Sequence, residues 1–123
     1  MATFTKLALQ PAGSTGDGLG ILVAATATAG TAIHTASTTT TTIDEVWLYA
    51  YNNHSADILL TIEFGGATAP KDVIKQTVIT QAGLVLVVPG LVVQGNATAK
   101  VVRAFAATAN QISIFGYVNR ITA

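Results

Sequence analysis

The stretch that decides the fold class is DEVWLYAY, residues 44–51. Its small and aliphatic residues alternate with larger polar and aromatic ones. A period of two residues is typical of a half-buried β-strand, because successive side chains point to opposite faces of a sheet. The stretch therefore predicts a strand on which Trp47, Tyr49 and Tyr51 share one face.

The same alternation recurs along the chain, in residues 58–64, 73–79 and 111–118. Shorter apolar runs predict more deeply buried strands at 84–88, 91–93 and 101–106. Turn-forming residues separate these runs at 52–55, 65–66, 81–83, 89–90, 95–96 and 108–110. The spacing of about 8–12 residues is that of a sandwich or barrel, and no window carries a helical stripe. The sequence thus predicts an all-β protein, an antiparallel, jelly-roll-like β-sandwich of roughly eight strands.

The amino-acid composition excludes several classes of function. The chain has 123 residues, 50% of them hydrophobic and only 10% charged, and its formal net charge is zero. A nucleic-acid partner is not expected, because binding phosphates requires a basic excess. Cysteine is absent, so thiolate sites and disulfides are excluded. A surface with so few charges must be covered by small polar residues or by other subunits, and the second alternative points to an assembly.

The length predicts a single domain, 1–123, in which residues 1–20 form an extended N-terminal arm and loop. The threonine-rich segment 37–42 is a second candidate for such an arm. Apolar runs near the N-terminus are too short for a signal peptide or a membrane helix. We therefore expect synthesis in the cytoplasm and no membrane partner.

Residues that could carry chemistry occur without the context that chemistry needs. The glycine-rich loop 13–18 lacks the lysine and hydroxyl residue of a phosphate-binding loop. His34 is expected to be buried and hydrogen-bonded, and His54 to lie in a turn. A metal site built from His54, Asp57 and the pair Asp44–Glu45 would be a weak cluster. No catalytic, cofactor-binding or metal-binding residue is predicted, and no cofactor.

Carboxylate pairs give no firm hydrolase signal either. Asp44 and Glu45 are adjacent and so should point to opposite faces of a strand. Glu63 and Asp72 are separated by a Gly/Pro loop that fixes no distance. The interface residues that we predict are instead Trp47, Tyr49 and Tyr51, because Trp and Tyr combine apolar area with a polar tip. The alternatives for this face are packing in the core and a platform for stacking sugars.

Several short sequence segments resemble those of the small β-sandwich virion proteins of tailed bacteriophages. They are DEVWLY (44–49), the Asn52–Asn53 turn, LTIEFGG (60–66), GLVLVVPG (83–90), VRAFA (102–106) and GYVNRI (116–121). The resemblance spans residues 43–121 and has no catalytic signature.

This resemblance implies a capsid decoration, or cement, protein on the outer surface of the virion. Such proteins often form homotrimers and clamp neighbouring copies of the major capsid protein. The other hypotheses are a tail or neck component and a carbohydrate-binding β-sandwich. An enzyme is not expected.

Overall fold

The computed structural model describes residues 2–13 and 16–123. These residues form nine β-strands and no helix. The strands are β1 (Thr3–Ala8), β2 (Ile21–Leu22), β3 (Thr31–Thr35), β4 (Thr42–Asn52), β5 (Ile58–Phe64), β6 (Val73–Val78), β7 (Val85–Gln94), β8 (Val101–Ala106) and β9 (Ile112–Thr122). The predicted all-β class is confirmed. Within these residues there is also no helix that is long and apolar enough to span a membrane.

The strands form two antiparallel sheets. Sheet A has the order β1-β9-β4-β7, with the two-residue β2 also paired to β9, and sheet B has the order β3-β8-β5-β6. The pairs are nested along the chain: β5 with β6, β4 with β7, β3 with β8 and β1 with β9. A ribbon of paired strands wound in this way into two sheets is the jelly-roll form of the β-sandwich.

The core lies between the two sheets. On β4 the residues Val46, Leu48 and Ala50 are fully buried, and the residues between them are half-buried. Ile58, Leu60 and Ile62 of β5 face them from sheet B with at most 2% exposure. This packing follows from the period-two alternation, which directs every second side chain inward. Burial of such aliphatic side chains contributes about 1.5–3 kcal/mol each.

Strand β7 corrects one prediction. The runs 84–88 and 91–93 were predicted as two buried strands joined by a Pro89–Gly90 turn, which is wrong. They form one edge strand, Val85–Gln94, whose register against β4 shifts once at Gly90 and once at Val87. Gly90 has φ +77°, so it makes a bulge within the strand instead of reversing the chain. Leu86, Leu91 and Val92 are consequently exposed.

The first strand lies within the sandwich. Residues Thr3–Ala8, part of the segment predicted as an arm, pair with β9 along their whole length. The following segment is tied to β3, because the carbonyl of Gln10 accepts hydrogen bonds from the amides of Gly13 and Thr35. The predicted irregular segment 65–72 does loop between β5 and β6, and it is closed by a hydrogen bond from the amide of Phe64 to the carbonyl of Asp72.

Candidate interaction surface

The outer face of sheet A is aromatic. Of the eight aromatic residues in the chain (one Trp, three Tyr, four Phe), six lie there. The strand register brings them to one side, because Trp47 pairs with Tyr117 and Tyr49 pairs with Phe115. We call this surface the aromatic face; its aromatic members are Phe4, Trp47, Tyr49, Tyr51, Phe115 and Tyr117.

The predicted residues Trp47, Tyr49 and Tyr51 are brought together on this face. All three are half-buried and point away from sheet B, because the alternate residues of β4 fill the core. Their partners Phe115 and Tyr117 were missed by the sequence reasoning. The signal was present in the alternation of 111–118, but the pairing of β9 with β4 was needed to place them beside Trp47.

Trp47 lies at the centre of the aromatic face. Its ring is stacked beside that of Tyr117, with centroids 6.1 Å apart and planes 12° from parallel. The indole also lies directly over Gly90, where a Cβ atom would come within 2.8 Å of the ring. On the far side of Tyr117, the Lys6 ammonium lies 4.6 Å from the ring centroid, a cation–π contact. The ring positions are thus fixed by four neighbouring strands.

Lys6 and Glu45 are the charged residues of the aromatic face among the residues that the structure describes. The Glu45 carboxylate accepts hydrogen bonds from the Trp47 indole N–H at 2.7 Å and from the Asn119 amide at 2.9 Å. These bonds hold the pKa of Glu45 below its ordinary value. Glu45 is therefore an anion at neutral pH, and it orients Trp47.

The aromatic face continues into exposed aliphatic residues. Phe4 is 73% exposed at one corner, and Val92 is 52% exposed on β7. Leu22 and Leu86 are also exposed. Several exposed apolar side chains grouped on one face are typical of sites that bind another molecule.

The edge strand β7 provides a second apolar feature. Its ten residues, VLVVPGLVVQ, contain no charge, and among the strands of the described residues it pairs only with β4. Leu84, which precedes it, is 58% exposed. An unpaired edge can accept a strand from another chain, and the Pro89 bulge limits how much of it can do so.

A buried ionic network joins the two sheets beneath the aromatic face. The Asp44 carboxylate, 1% exposed, accepts hydrogen bonds from Arg120 Nε at 2.7 Å and from Arg120 Nη2 at 2.9 Å. His34 Nε2 lies 2.7 Å from its Oδ2 atom. Because the amide of Gln10 donates to His34 Nδ1, Nε2 carries the ring proton and donates to Asp44. This confirms the prediction of a buried, hydrogen-bonded His34.

The electrostatics of Asp44 follow from these contacts. Burial raises the pKa of its carboxyl, but hydrogen bonds from Arg120 and His34, together with the charge of Arg120, outweigh burial and lower the pKa to about 2. The hydrogen bonds to Asp44, and then its charge, raise the pKa of Arg120 against the opposing effect of burial. Both groups are thus ionised at neutral pH, and all the hydrogen-bonding atoms of Asp44 face protein partners. The network has a structural role, tying β3 to β4 and β9.

The remaining candidates are dispersed. The Glu63 carboxylate is buried and accepts hydrogen bonds from the Thr28 hydroxyl and the Gly30 amide, whereas the Asp72 carboxylate accepts from the Thr68 amide and the Lys71 ammonium. Asp57 accepts from the amide of Thr80. Within 2–13 and 16–123, no three His, Asp or Glu side chains are placed to hold a metal ion. Part of the glycine-rich loop, residues 14 and 15, lies outside the described residues.

Comparison with known proteins found no family model, no curated protein and no solved structure that matches this chain. The surface therefore has to be interpreted from its own geometry.

Proposed function

We propose that this chain is a structural virion protein that decorates the outer shell of a tailed-phage capsid and holds neighbouring capsomers together. The observation that carries the proposal is the presence of two apolar features on one chain of zero net charge, the aromatic face and the edge of β7. A cement protein needs at least two adhesive regions, because it has to bridge more than one neighbour.

The fold is compatible with this role. Jelly-roll sandwiches occur in viral capsid proteins and also in lectins and cupins, so the topology supports a virion role by analogy alone. The resemblance of residues 43–121 to virion proteins adds to the analogy. It also implies a homo-oligomer, with a trimer as the state most often found in such proteins.

Under this proposal the edge of β7 contacts the shell. Leu84, Leu86 and Leu91 would be covered by the major capsid protein, and the free strand edge would pair with one of its strands. Each contact is small, but several copies on one lattice would act together, so weak contacts would sum to a firm clamp.

The test is to mix the protein with expanded shells assembled from the major capsid protein of the same phage. We expect the wild-type protein to sediment with the shells and raise their melting temperature. Leu84→Lys should abolish both effects, because a charge would be buried at the contact. Leu59→Lys is the matched control, since Leu59 is a similarly exposed leucine on sheet B. Absence of any shift at saturating wild-type protein would contradict the proposal.

A carbohydrate-binding module is the second candidate. The observation in its favour is the Trp47 indole, which lies over Gly90 and beside the ring of Tyr117, as a sugar-stacking platform would. Binding on a glycan array that disappears in Trp47→Ala would support this candidate. A tail or neck location is the remaining alternative, and particle images of a tagged protein would distinguish it from the shell.

A further inference from the structure

The aromatic face is organised in rows that cross β9. One row runs Lys6–Asn119–Glu45 from β1 through β9 to β4, and the next runs Ala8–Tyr117–Trp47. Neighbouring strands are about 4.8 Å apart, so the lysine and the glutamate lie roughly 10 Å from each other on opposite sides of β9. The backbone positions of the two charged residues are therefore symmetric about this strand, and their charges have opposite signs; the Lys6 ammonium itself lies over the ring of Tyr117, in the next row.

From this arrangement we infer that the aromatic face binds the same face of a second copy of the chain, about a two-fold axis that runs along β9. The inference goes beyond the proposed function, because it names a dimer where the resemblance implies a trimer; it rests on that function only for the expectation that the protein works as an oligomer. A two-fold interface has to be self-complementary, because the same surface supplies both sides.

Charge complementarity favours this axis. The axis is parallel to β9 and lies midway between the two facing copies of sheet A. A two-fold rotation about it exchanges the positions of β1 and β4. Lys6 then lies opposite Glu45 of the partner subunit, and Glu45 lies opposite the partner's Lys6. The strands of the two copies stay nearly aligned, which is the usual arrangement when sheets stack about 10 Å apart.

The sizes of the side chains that this rotation brings together are also complementary. The rotation places Trp47, the largest residue of the face, opposite the partner's Ala8. It also places Tyr49 opposite the region of Gly20, which lies against the ring of Phe115 without a side chain of its own. Large residues on the β4 side thus meet small ones on the β1 side, and Phe115 and Tyr117 of β9 meet their own counterparts at the axis.

The available area suits a modest dimer. If a fully exposed large side chain contributes about 200 Å², the exposed parts of the face amount to roughly 600 Å² per copy. Two copies would bury on the order of 1,200 Å², at the lower end for specific interfaces. The aromatic centre with few charges also has the composition of an interface core.

The test measures the mass of the full chain in solution by light scattering after size-exclusion chromatography, over a range of concentrations. We expect a species of twice the 12.6 kDa chain mass. Lys6→Glu and Glu45→Lys should each weaken dimerisation about tenfold or more, because like charges would face each other twice. The double variant Lys6→Glu/Glu45→Lys should dimerise more tightly than either single variant, since it restores opposite charges across the axis; it should stay weaker than the wild type, because lysine cannot accept the hydrogen bonds from Trp47 and Asn119.

Two further variants distinguish loss of the dimer contact from loss of folding. Lys75→Glu reverses an exposed charge on sheet B and should leave the dimer unchanged. Ala8→Trp adds bulk opposite the partner's Trp47 and should yield a monomer, and its circular dichroism spectrum and cooperative melting show whether it is folded.

The outcomes are distinct. A wild-type monomer, a trimer, or a double variant that dimerises no more tightly than the single variants would overturn the two-fold pairing. None of these results depends on shell binding, so the pairing and the cement function can fail separately. Retention of the wild-type mass by Ala8→Trp would likewise assign the aromatic face to another occupant, such as the shell or a glycan.

Discussion

Replacement of Asp44 by Asn tests whether the buried network holds the sandwich together. The substitution preserves the shape of the side chain but removes its charge. The NH2 end of the Asn side chain would face either Arg120 or the N–H of His34 Nε2. Both of these groups are hydrogen-bond donors, so they cannot pair with another donor. His34 cannot relieve the conflict by moving its proton to Nδ1, because the amide of Gln10 donates to that atom. At least one buried donor is therefore left without an acceptor.

The magnitude follows from two contributions. The pKa of Asp44 is lowered from 3.8 to about 2, which corresponds to roughly 2.4 kcal/mol of stabilisation and to about 2 kcal/mol after allowance for screening at the partly exposed Arg120. An unsatisfied buried donor costs about 1–3 kcal/mol more. We expect Asp44→Asn to lower the free energy of unfolding by about 3 kcal/mol at pH 7, a large part of the stability of a domain this size.

The pH dependence of the stability difference shows whether the Asp44 charge is its cause. Because the folded-state pKa of Asp44 is depressed, its stabilisation is present above pH 4 and is lost as the pH falls toward 2. The difference between wild-type protein and Asp44→Asn should therefore shrink from about 3 kcal/mol at pH 7 to about 1 kcal/mol at pH 2. Other carboxylates titrate in both proteins and cancel in the difference.

Urea unfolding followed by circular dichroism at pH 7, 4 and 2 measures this difference. Asp17→Asn is the control, because Asp17 is exposed and its hydrogen bond from the Leu19 amide can be made by Asn. We expect it to change stability by less than about 0.5 kcal/mol. A similarly small effect of Asp44→Asn at pH 7, or a difference that does not vary with pH, would refute the reasoning.

Three further substitutions test the packing. Leu48→Ala removes a fully buried side chain of the core and should cost about 3 kcal/mol in urea unfolding at unchanged m-value. Gly90→Ala meets a left-handed backbone and the ring of Trp47, so we expect a loss of about 1–3 kcal/mol and a shift in the emission of this single tryptophan; unchanged emission would contradict the contact. Glu63→Ala removes the acceptor for the Gly30 amide, whose hydrogen exchange should accelerate by at least about tenfold while the core amides stay protected.

The alternation of residues was sufficient to predict strands β4, β5 and β9, because alternate aliphatic residues of each strand lie in the core. It failed at β7, where Pro89 and Gly90 have the composition of a turn. Only the ladder to β4 shows that they form a bulge in a continuous strand. Local composition cannot distinguish the two cases, because the same dihedral preferences serve both.

The candidate surface was predicted in part. Trp47, Tyr49 and Tyr51 share a face by alternation alone, but the contacts of Lys6 with Tyr117 and of Asp44 with Arg120 could not be derived. Such contacts join residues far apart in the sequence, and they depend on which strands become neighbours. That choice is made by tertiary packing and not by any local pattern.

The pairing of the first strand with the last has a practical consequence. Thr3 lies directly opposite Thr122, so both ends of the sandwich emerge at one corner, next to Phe4 and Ile121. A peptide or domain fused before Thr3 and one fused after Thr122 would both be displayed from this corner. A linker of a few residues could join the two ends and allow the polypeptide to be reopened in the 65–72 loop, yielding a circular permutant with the same sheets.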